Sequence, residues 1–197
     1  TNGFWVVKPE YRAEYTRDCY ACDVSENEMT AYLPYARITG RGDTLNVGMM
    51  TAEFSSPMEN VLRVKLTAHR GACLGKPYFP LKEEGRCGQT ACEEGAYQLT
   101  SGALSVRLQA GSPCLTFLAN GQVLTRTREK VTAMMNHRGG ARYLVTGLEL
   151  DVGELVYGLG ERFTPSVKNG QVVETWYEDG GTASEISYKS IPFYLTN

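Results

Sequence analysis

Residues 173–181 combine a tryptophan with a carboxylate beside two glycines, a set that could contact a sugar. Val173 to Tyr177 is predicted to be a strand that runs into the turn Glu178-Asp179-Gly180-Gly181. The turn would hold the Asp179 carboxylate near the Trp176 indole, where a sugar can rest a C–H face on the ring and donate hydroxyl hydrogens to the carboxylate. Two other roles stay open: Trp176 as a core anchor, and Asp179 as a cap of the glycine turn.

Six cysteines offer thiol or metal chemistry, and two of them form a Cys-x-x-Cys pair, Cys19 and Cys22. On a strand, residues three apart point to opposite faces, which is poor geometry for chelation. We therefore interpret the cysteines as structural or incidental thiols that are mostly free. A zinc site that adds Cys87 and Cys92 is the weaker alternative, because the second spacing is looser and no histidine supports it. No cofactor and no metal are predicted.

Catalysis by a serine, a histidine and an acid finds little support in this chain. The two histidines are His69 and His137, and His69 is predicted on the polar face of a strand with no distinctive serine or cysteine motif nearby. Arg41-Gly42-Asp43 spells an adhesion tripeptide, but we interpret it as a turn between strands. The residues by themselves identify no catalytic site.

Composition and charge exclude several classes of partner. The 197 residues are 42% hydrophobic and 21% charged, which is typical of a globular protein. The net charge is −2 and no basic run occurs, so nucleic acid is not an expected partner. No apolar stretch approaches the roughly 20 residues of a membrane span. The interpretation of the cysteines as free favours the cytoplasm, although a chain that begins at Thr1 leaves a removed signal peptide open.

Alternation of apolar and polar residues predicts strands along most of the chain. Leu62 to His69 alternates strictly, as does a second strand from Leu104 to Ala110. The residues predicted to point inward from the second strand are Leu104, Val106, Leu108 and Ala110. Apolar residues do not recur at helical spacing for more than about two turns. The chain is therefore expected to be all-β.

Turn signals arrange these strands into an antiparallel β-sandwich. Asn120-Gly121 between two apolar runs predicts a type I′ hairpin, and a second hairpin is predicted to join Cys19–Val24 with Met29–Leu33. Gly71 to Gly95 shows neither the alternation of a strand nor the spacing of a helix, and we interpret it as a long surface excursion within one domain. The expected organisation is a single sandwich domain over residues 1–197.

The C-terminal third carries motifs that resemble a known family. The motifs are Tyr157-Gly158-Leu159-Gly160-Glu161-Arg162-Phe163, Asn169-Gly170-Gln171, Glu174-Thr175-Trp176, Asp179-Gly180-Gly181-Thr182 and Lys189-Ser190-Ile191-Pro192-Phe193-Tyr194-Leu195-Thr196-Asn197. Together they closely resemble the N-terminal part of the family 31 glycoside hydrolases, nearest to the bacterial α-xylosidases. Gly3-Phe4-Trp5, Phe54-Ser55-Ser56-Pro57 and the Asn120-Gly121 hairpin occur upstream in the family's usual order.

This resemblance implies a galactose-mutarotase-like β-sandwich, truncated before a catalytic (β/α)8 barrel of the same polypeptide. In the family, the aspartate nucleophile and the aspartate acid/base belong to the barrel, and terminal α-linked xylosyl or glucosyl residues are hydrolysed with retention. The resemblance therefore implies that this chain contains no catalytic residue and has no activity alone.

The resemblance also assigns two residues to substrate binding. The family's loop aspartate, which reaches the substrate pocket from the sandwich, matches Asp179, and Trp176 supports that loop. Gly158, Gly160 and Glu161 match a motif taken as structural. The implied partners are the barrel and an oligosaccharide substrate, and a homo-oligomer of the full-length enzyme is compatible with them. The alternatives are a stand-alone carbohydrate-binding sandwich and a structural or adhesive sandwich.

Overall fold

The computed structural model describes residues 6–68, 86–176 and 189–197. The chain forms two compact units, Thr1–Glu149 and Leu150–Asn197. The regular structure of the described residues consists of β-strands and one 3-10 turn at Arg41–Thr44. Within the same residues, no helix is long and apolar enough to cross a membrane. The organisation of residues 1–197 as one domain stays a prediction.

The described residues contain fourteen short strands. They are β1 (Tyr11–Tyr15), β2 (Ala21–Val24), β3 (Met29–Pro34), β4 (Met49–Ser55), β5 (Arg63–Thr67), β6 (Gln89–Glu93), β7 (Ala96–Ser101), β8 (Leu104–Gln109), β9 (Leu115–Ala119), β10 (Gln122–Arg126), β11 (Ala133–His137), β12 (Arg142–Val145), β13 (Val156–Gly158) and β14 (Tyr194–Thr196). The strand pairs among them are antiparallel, which confirms the predicted all-β class.

Two sheets of the first unit share one hydrophobic core. One sheet has the order β2-β3-β4-β5 and the other has the order β10-β9-β8-β7-β6, while β1-β11-β12 form a third. The buried apolar side chains of the core come from both larger sheets: Met29, Ala31, Leu33, Met50, Ala52, Phe54, Leu99, Val106, Leu108 and Leu115. Two sheets packed over one core make a sandwich, as the sequence predicts. In the second unit, β13 pairs with β14.

The predicted alternation holds over most of the two strands, although Ser105 on the polar side of β8 is buried as well, and it fails at one strand end. Val106 and Leu108 are buried as expected and Leu104 is half-buried, but Ala110 is exposed, so its inward assignment is wrong. The reason is that β8 ends at Gln109 and the Ala110 amide donates to the carbonyl of Gly95 in the adjoining turn, at 2.8 Å. The other predicted strand is β5, shorter than proposed, and His69 lies outside the described residues.

Both predicted hairpins are present. Asn120 and Gly121 have φ values of 49° and 80°, the positive pair that a type I′ turn requires between β9 and β10. The other hairpin joins β2 to β3, and the Ser25 amide donates to the Glu28 carbonyl at 2.9 Å to close its turn.

The predicted surface excursion from Gly71 to Gly95 contains a strand that the sequence pattern concealed. Residues 89–93 form β6, which pairs with β7 across Glu94 and Gly95, both at positive φ. β6 is an edge strand with mostly exposed side chains, so it lacks the apolar alternation by which strands are recognised. Residues 71–85 of the excursion lie outside the described part of the chain.

Candidate functional site

Trp176 is the predicted site residue that the structure describes. Its side chain is 64% exposed, so it does not serve as a core anchor. The strand predicted from Val173 to Tyr177 is wrong over residues 173–176, which pair with no strand of the described residues, and Tyr177 lies outside those residues. Asp179 lies outside the described residues, so its place beside Trp176 stays a prediction.

The two glycines before Glu161 allow two backbone segments to approach closely. Gly158 and Gly160 have φ values of 101° and 91°. A Cβ on Gly158 would lie 2.7 Å from the carbonyl oxygen of Phe193, and one on Gly160 would lie 2.1 Å from that of Lys189. Only glycine fits such contacts without a shift of the backbone, so this motif has a structural role.

Arg162 connects three points of the second unit, a role that sequence reasoning missed. Its Nε donates to the carbonyl of Leu159 at 3.1 Å, and its Nη2 donates to Ser190 Oγ at 2.9 Å. The Ser190 hydroxyl in turn donates to the carbonyl of Trp176 at 3.4 Å. The guanidinium and the hydroxyl therefore connect Trp176 to the backbone after β13.

Asn169 stabilises the second unit at the beginning of β13. Its Oδ1 accepts from the Val156 amide at 2.8 Å, and its Nδ2 donates to the Glu154 carbonyl at 2.9 Å. The neighbouring Lys168 is 7% exposed, and its Nζ donates to Thr164 Oγ1 at 2.9 Å and to the Pro165 carbonyl at 2.6 Å. The Asn169-Gly170-Gln171 motif thus holds the fold of the unit that contains Trp176.

The five described cysteines are free thiols, and two of them, Cys19 and Cys22, are poorly reactive. Cys19, Cys22, Cys87, Cys92 and Cys114 are free. Burial, with smaller contributions from Cys22 and Asp18, raises the pKa of Cys19 to about 12, and burial also raises the pKa of Cys22 to about 11. Because the thiolate is the form that attacks and binds metal, these two thiols are poorly suited to either task. Among the described residues no group of three His, Cys, Asp or Glu side chains could hold a metal.

The Arg41-Gly42-Asp43 tripeptide forms a turn, as predicted. It begins the 3-10 turn between β3 and β4, and one Asp43 carboxylate oxygen accepts from Thr39 N and Thr39 Oγ1, both at 2.8 Å, and from Gly40 N at 3.0 Å. These hydrogen bonds lower the pKa of the Asp43 carboxyl, and the one from the Thr39 hydroxyl has the largest effect. The Asp43 carboxylate therefore stabilises the loop in which it lies.

A polar cleft of about 300 Å³ opens on the four-stranded sheet. Charged side chains line it in pairs, with Lys65 Nζ 3.1 Å from Glu53 Oε2 and Arg86 Nε 3.6 Å from Glu28 Oε1. Its aromatic lining residue, Phe54, is buried in the core and offers no face for stacking. The described residues that line the cleft therefore provide no aromatic platform of the kind that sugar recognition favours.

Comparison with known proteins matches the chain to one family over most of its length. The family model described as the glycosyl hydrolase 31 N-terminal galactose mutarotase-like domain matches residues 51–197. The α-xylosidase XylQ of Lactiplantibacillus pentosus is 40% identical over 199 residues, and an α-xylosidase of Emericella nidulans is 32% identical over 224 residues. Each alignment covers 100% of this chain, but only 26% and 28% of the respective relative. The chain thus spans about a quarter of the length of these curated relatives.

Solved structures share the fold at low identity. The cycloalternan-forming enzyme of Listeria monocytogenes, in complex with a pentasaccharide substrate, superposes with a TM-score of 0.70 at 17% identity over 94% of this chain and 17% of that one. A GH31 dextranase of Flavobacterium johnsoniae gives a TM-score of 0.65 at 18% identity over 92% of this chain and 21% of that one.

Proposed function

The chain belongs to the glycosyl hydrolase 31 N-terminal galactose mutarotase-like domain family, and we propose that it is the N-terminal β-sandwich of a longer α-xylosidase. The observation that carries this proposal is the 40% identity to the α-xylosidase XylQ, which extends over the whole of this chain. The second α-xylosidase, from a fungus, supports the same substrate class at 32% identity. The longer enzyme would release terminal α-linked xylosyl residues, or glucosyl residues, from an oligosaccharide.

The chemistry of the longer enzyme would take place in a (β/α)8 barrel that follows this chain. A retaining glycosidase needs one carboxylate to attack the anomeric carbon and one carboxylic acid to protonate the leaving oxygen, about 5 Å apart. Water then attacks the covalent glycosyl-enzyme, while the second residue, now a base, takes a proton from that water. The sandwich would support the barrel and contribute Asp179 to the substrate pocket. Trp176 would support the segment that carries Asp179.

Exposed apolar side chains in the second unit support the barrel as a partner. Trp176, Phe193, Leu195 and Ile191 are 64%, 62%, 50% and 49% exposed. Moving a large apolar side chain from full exposure to full burial is worth roughly 1.5–3 kcal/mol, and these half-exposed side chains would gain part of that free energy. A following domain of the same polypeptide would bury them at the place where the chain continues in the relatives.

We also propose a cytoplasmic location, since five free thiols suit a reducing compartment.

The substrate class is tested by the specificity of the longer polypeptide. Its kcat/KM is measured for p-nitrophenyl α-xyloside and for p-nitrophenyl α-glucoside under the same conditions. We expect the xyloside to be the better substrate. A preference for the glucoside would make the protein an α-glucosidase, and hydrolysis of neither would contradict the proposed function.

A stand-alone carbohydrate-binding module is the second candidate, and the exposed Trp176 is the observation that favours it. A module would bind sugar without any barrel. Calorimetry of the 197-residue chain with xylose and xyloglucan oligosaccharides separates the two, because a module predicts binding in the millimolar to micromolar range and the proposed function predicts next to none.

A further inference from the structure

β2 and β6 are edge strands of the two facing sheets, and they lie on the same side of the sandwich. β2 ends the order β2-β3-β4-β5, and β6 ends the order β10-β9-β8-β7-β6. Some Cα atoms of the two strands lie within 8 Å of each other. Hydrogen bonds join the start of β6 to the turn after β2: the Thr90 amide donates to the Glu26 carbonyl at 3.2 Å, and Asn27 Nδ2 donates to the Gly88 carbonyl at 2.9 Å. The fold itself therefore holds the two edges together.

Each of these edge strands directs one cysteine toward the space between the sheets. Cys22 on β2 lies opposite Ala31, which is fully buried in the core. Cys92 on β6 lies opposite Tyr97, and Tyr97 lies opposite the buried Leu108. Residues directly opposite each other on antiparallel strands share one face of the sheet. Both thiols are therefore on the faces that enclose the core.

The thiols of Cys22 and Cys92 are neighbours in space with different access to solvent. Burial raises the pKa of Cys22 to about 11, and the charges of Asp23 and Cys92 contribute to that rise. Cys92 is exposed, whereas Cys22 is half-buried and packs against the core. A disulfide joins residues whose Cα atoms are about 4.4–6.8 Å apart, so strands this close need little movement to be bridged.

We propose that Cys22 and Cys92 form a reversible disulfide when the protein meets a peroxide, and that this bond joins β2 to β6. The Cys92 thiolate attacks the peroxide and breaks its O–O bond, which gives a sulfenic acid at Cys92 and releases one oxygen as water with the thiol proton. Cys22 Sγ then attacks Cys92 Sγ, the S–O bond breaks, and the hydroxide leaves as water with the Cys22 proton. The peroxide gains the two electrons that the two thiols lose, and a thiol reductant reverses the reaction.

Cys22 can complete this reaction although its raised pKa makes it a poor nucleophile toward dissolved reagents. Its attack on Cys92 is intramolecular, and two reactants held side by side react as if each were at very high concentration. The same raised pKa protects Cys22 from direct oxidation, because the thiolate is the form that peroxide oxidises. Cys92 is therefore oxidised first and Cys22 resolves it. The inference does not depend on the proposed substrate.

The test is peptide mass spectrometry, without reduction, of the longer polypeptide after brief treatment with hydrogen peroxide. We expect the main product of Cys92 to be a cross-linked pair of peptides that contains Cys22, lighter by two hydrogens than the separate peptides. Dithiothreitol should restore both thiols. Oxidation of Cys92 to the sulfinic acid without a cross-link would overturn the inference, as would a disulfide to any other cysteine as its main product.

Cys22→Ser separates the two steps of the reaction. Without the second thiol the sulfenic acid at Cys92 should accumulate, so dimedone should trap several-fold more of it than in the parent. Equal trapping in the two proteins would mean that Cys22 does not react with the sulfenic acid. Cys92→Ser should leave Cys22 a free thiol after the same treatment, and a cross-link of Cys22 in that variant would contradict the proposed order.

Cys87 supplies a matched control, since it is also an exposed free thiol and is closer to Cys92 in the sequence than Cys22 is. Its amide donates to the Ser56 carbonyl at 3.1 Å, just after β4. Cys87→Ser should therefore leave the cross-link unchanged in the folded protein.

Unfolding in urea should change the partner of Cys92. Without the fold, Cys87 should compete better than Cys22, because the shorter loop closes at a lower entropic cost. If Cys22 stayed the main partner in urea, the fold would not be what directs the reaction, and the inference would fail. Thermal midpoints are recorded for every variant, and the exposed positions Cys87 and Cys92 carry the test if Cys22→Ser is destabilised.

Discussion

Asp179 is the side chain that we assign to the substrate, and its removal should affect kinetics more than stability. A hydrogen bond from a sugar hydroxyl to a carboxylate contributes about 1.5–3 kcal/mol, or roughly ten- to a hundredfold in kcat/KM. Asp179→Ala in the longer enzyme is expected to lose that much with an aryl α-xyloside. Its thermal midpoint should stay within about 2 °C of the parent if the carboxylate contacts the substrate and does not stabilise the fold.

Glu178→Ala is the matched control for Asp179→Ala, since it removes the adjacent carboxylate from the same segment. It should retain the parent kcat/KM. If Asp179 only caps the Gly180-Gly181 turn, the midpoint of Asp179→Ala would fall while the specificity constant for α-xylosides stayed near that of the parent.

The thiols should differ in reactivity according to their burial. Cys19 is 2% exposed, and the pKa values of Cys19 and Cys22 are raised to about 12 and about 11, so both are almost entirely protonated at pH 8. Cys87 and Cys92 are exposed. Peptide mass spectrometry of a time course with iodoacetamide at pH 8 should find Cys87 and Cys92 labelled before Cys19 and Cys22. Early labelling of Cys19 would contradict its burial.

The sequence indicates the residue-scale chemistry only where that chemistry is local. Trp176 and Asp179 stand out because an indole and a carboxylate lie three positions apart near two glycines. The role of Arg162 depends on Ser190, 28 residues further along the chain, and nothing in the intervening sequence pairs them. A contact of this kind becomes visible only when the fold brings the two segments together.

At the scale of elements, the close approach after β13 should make Gly160 intolerant of a side chain. Gly160 and Gly153 both have positive φ, 91° and 85°, which costs an L-residue roughly 1–2 kcal/mol. A Cβ on Gly160 would also meet the Lys189 carbonyl oxygen, whereas one on Gly153 would have nothing within 4 Å.

Gly160→Ala should therefore lower the free energy of unfolding by more than Gly153→Ala, by about a further 1–3 kcal/mol for the forced backbone shift. Chemical denaturation of the two variants and the parent gives the comparison. Equal losses would mean that the segments around Gly160 and Lys189 do not approach as the structure describes.

Strand prediction succeeded where the pattern and the pairing are both local. The Asn120-Gly121 hairpin needed only two residues of suitable φ between apolar runs. The sequence pattern did not predict β6, because this strand is held by main-chain pairing at a sheet edge and has few buried apolar side chains. Residues 173–176 gave the opposite error: they have the composition of a strand but no partner within the described residues.

At the scale of the whole molecule, the buried apolar cluster of the described residues lies in the first unit, and the second unit leaves several large apolar side chains exposed. The core side chains of both facing sheets are buried. Trp176, Phe193 and Leu195 are at least half exposed. These exposed side chains are consistent with the proposed function, in which a following domain would bury them, and with a chain that spans 26% of the relative XylQ.

Hydrolysis of an aryl α-xyloside by two purified proteins tests this division of labour most directly. One protein is the 197-residue chain and the other is the longer polypeptide that contains it, each assayed at equal molar concentration against a buffer blank. We predict turnover by the longer polypeptide and no turnover above the blank by the chain alone, because under the proposed function the carboxylate pair belongs to the barrel. Turnover by the 197-residue chain, or none by the longer polypeptide, would contradict the proposed function.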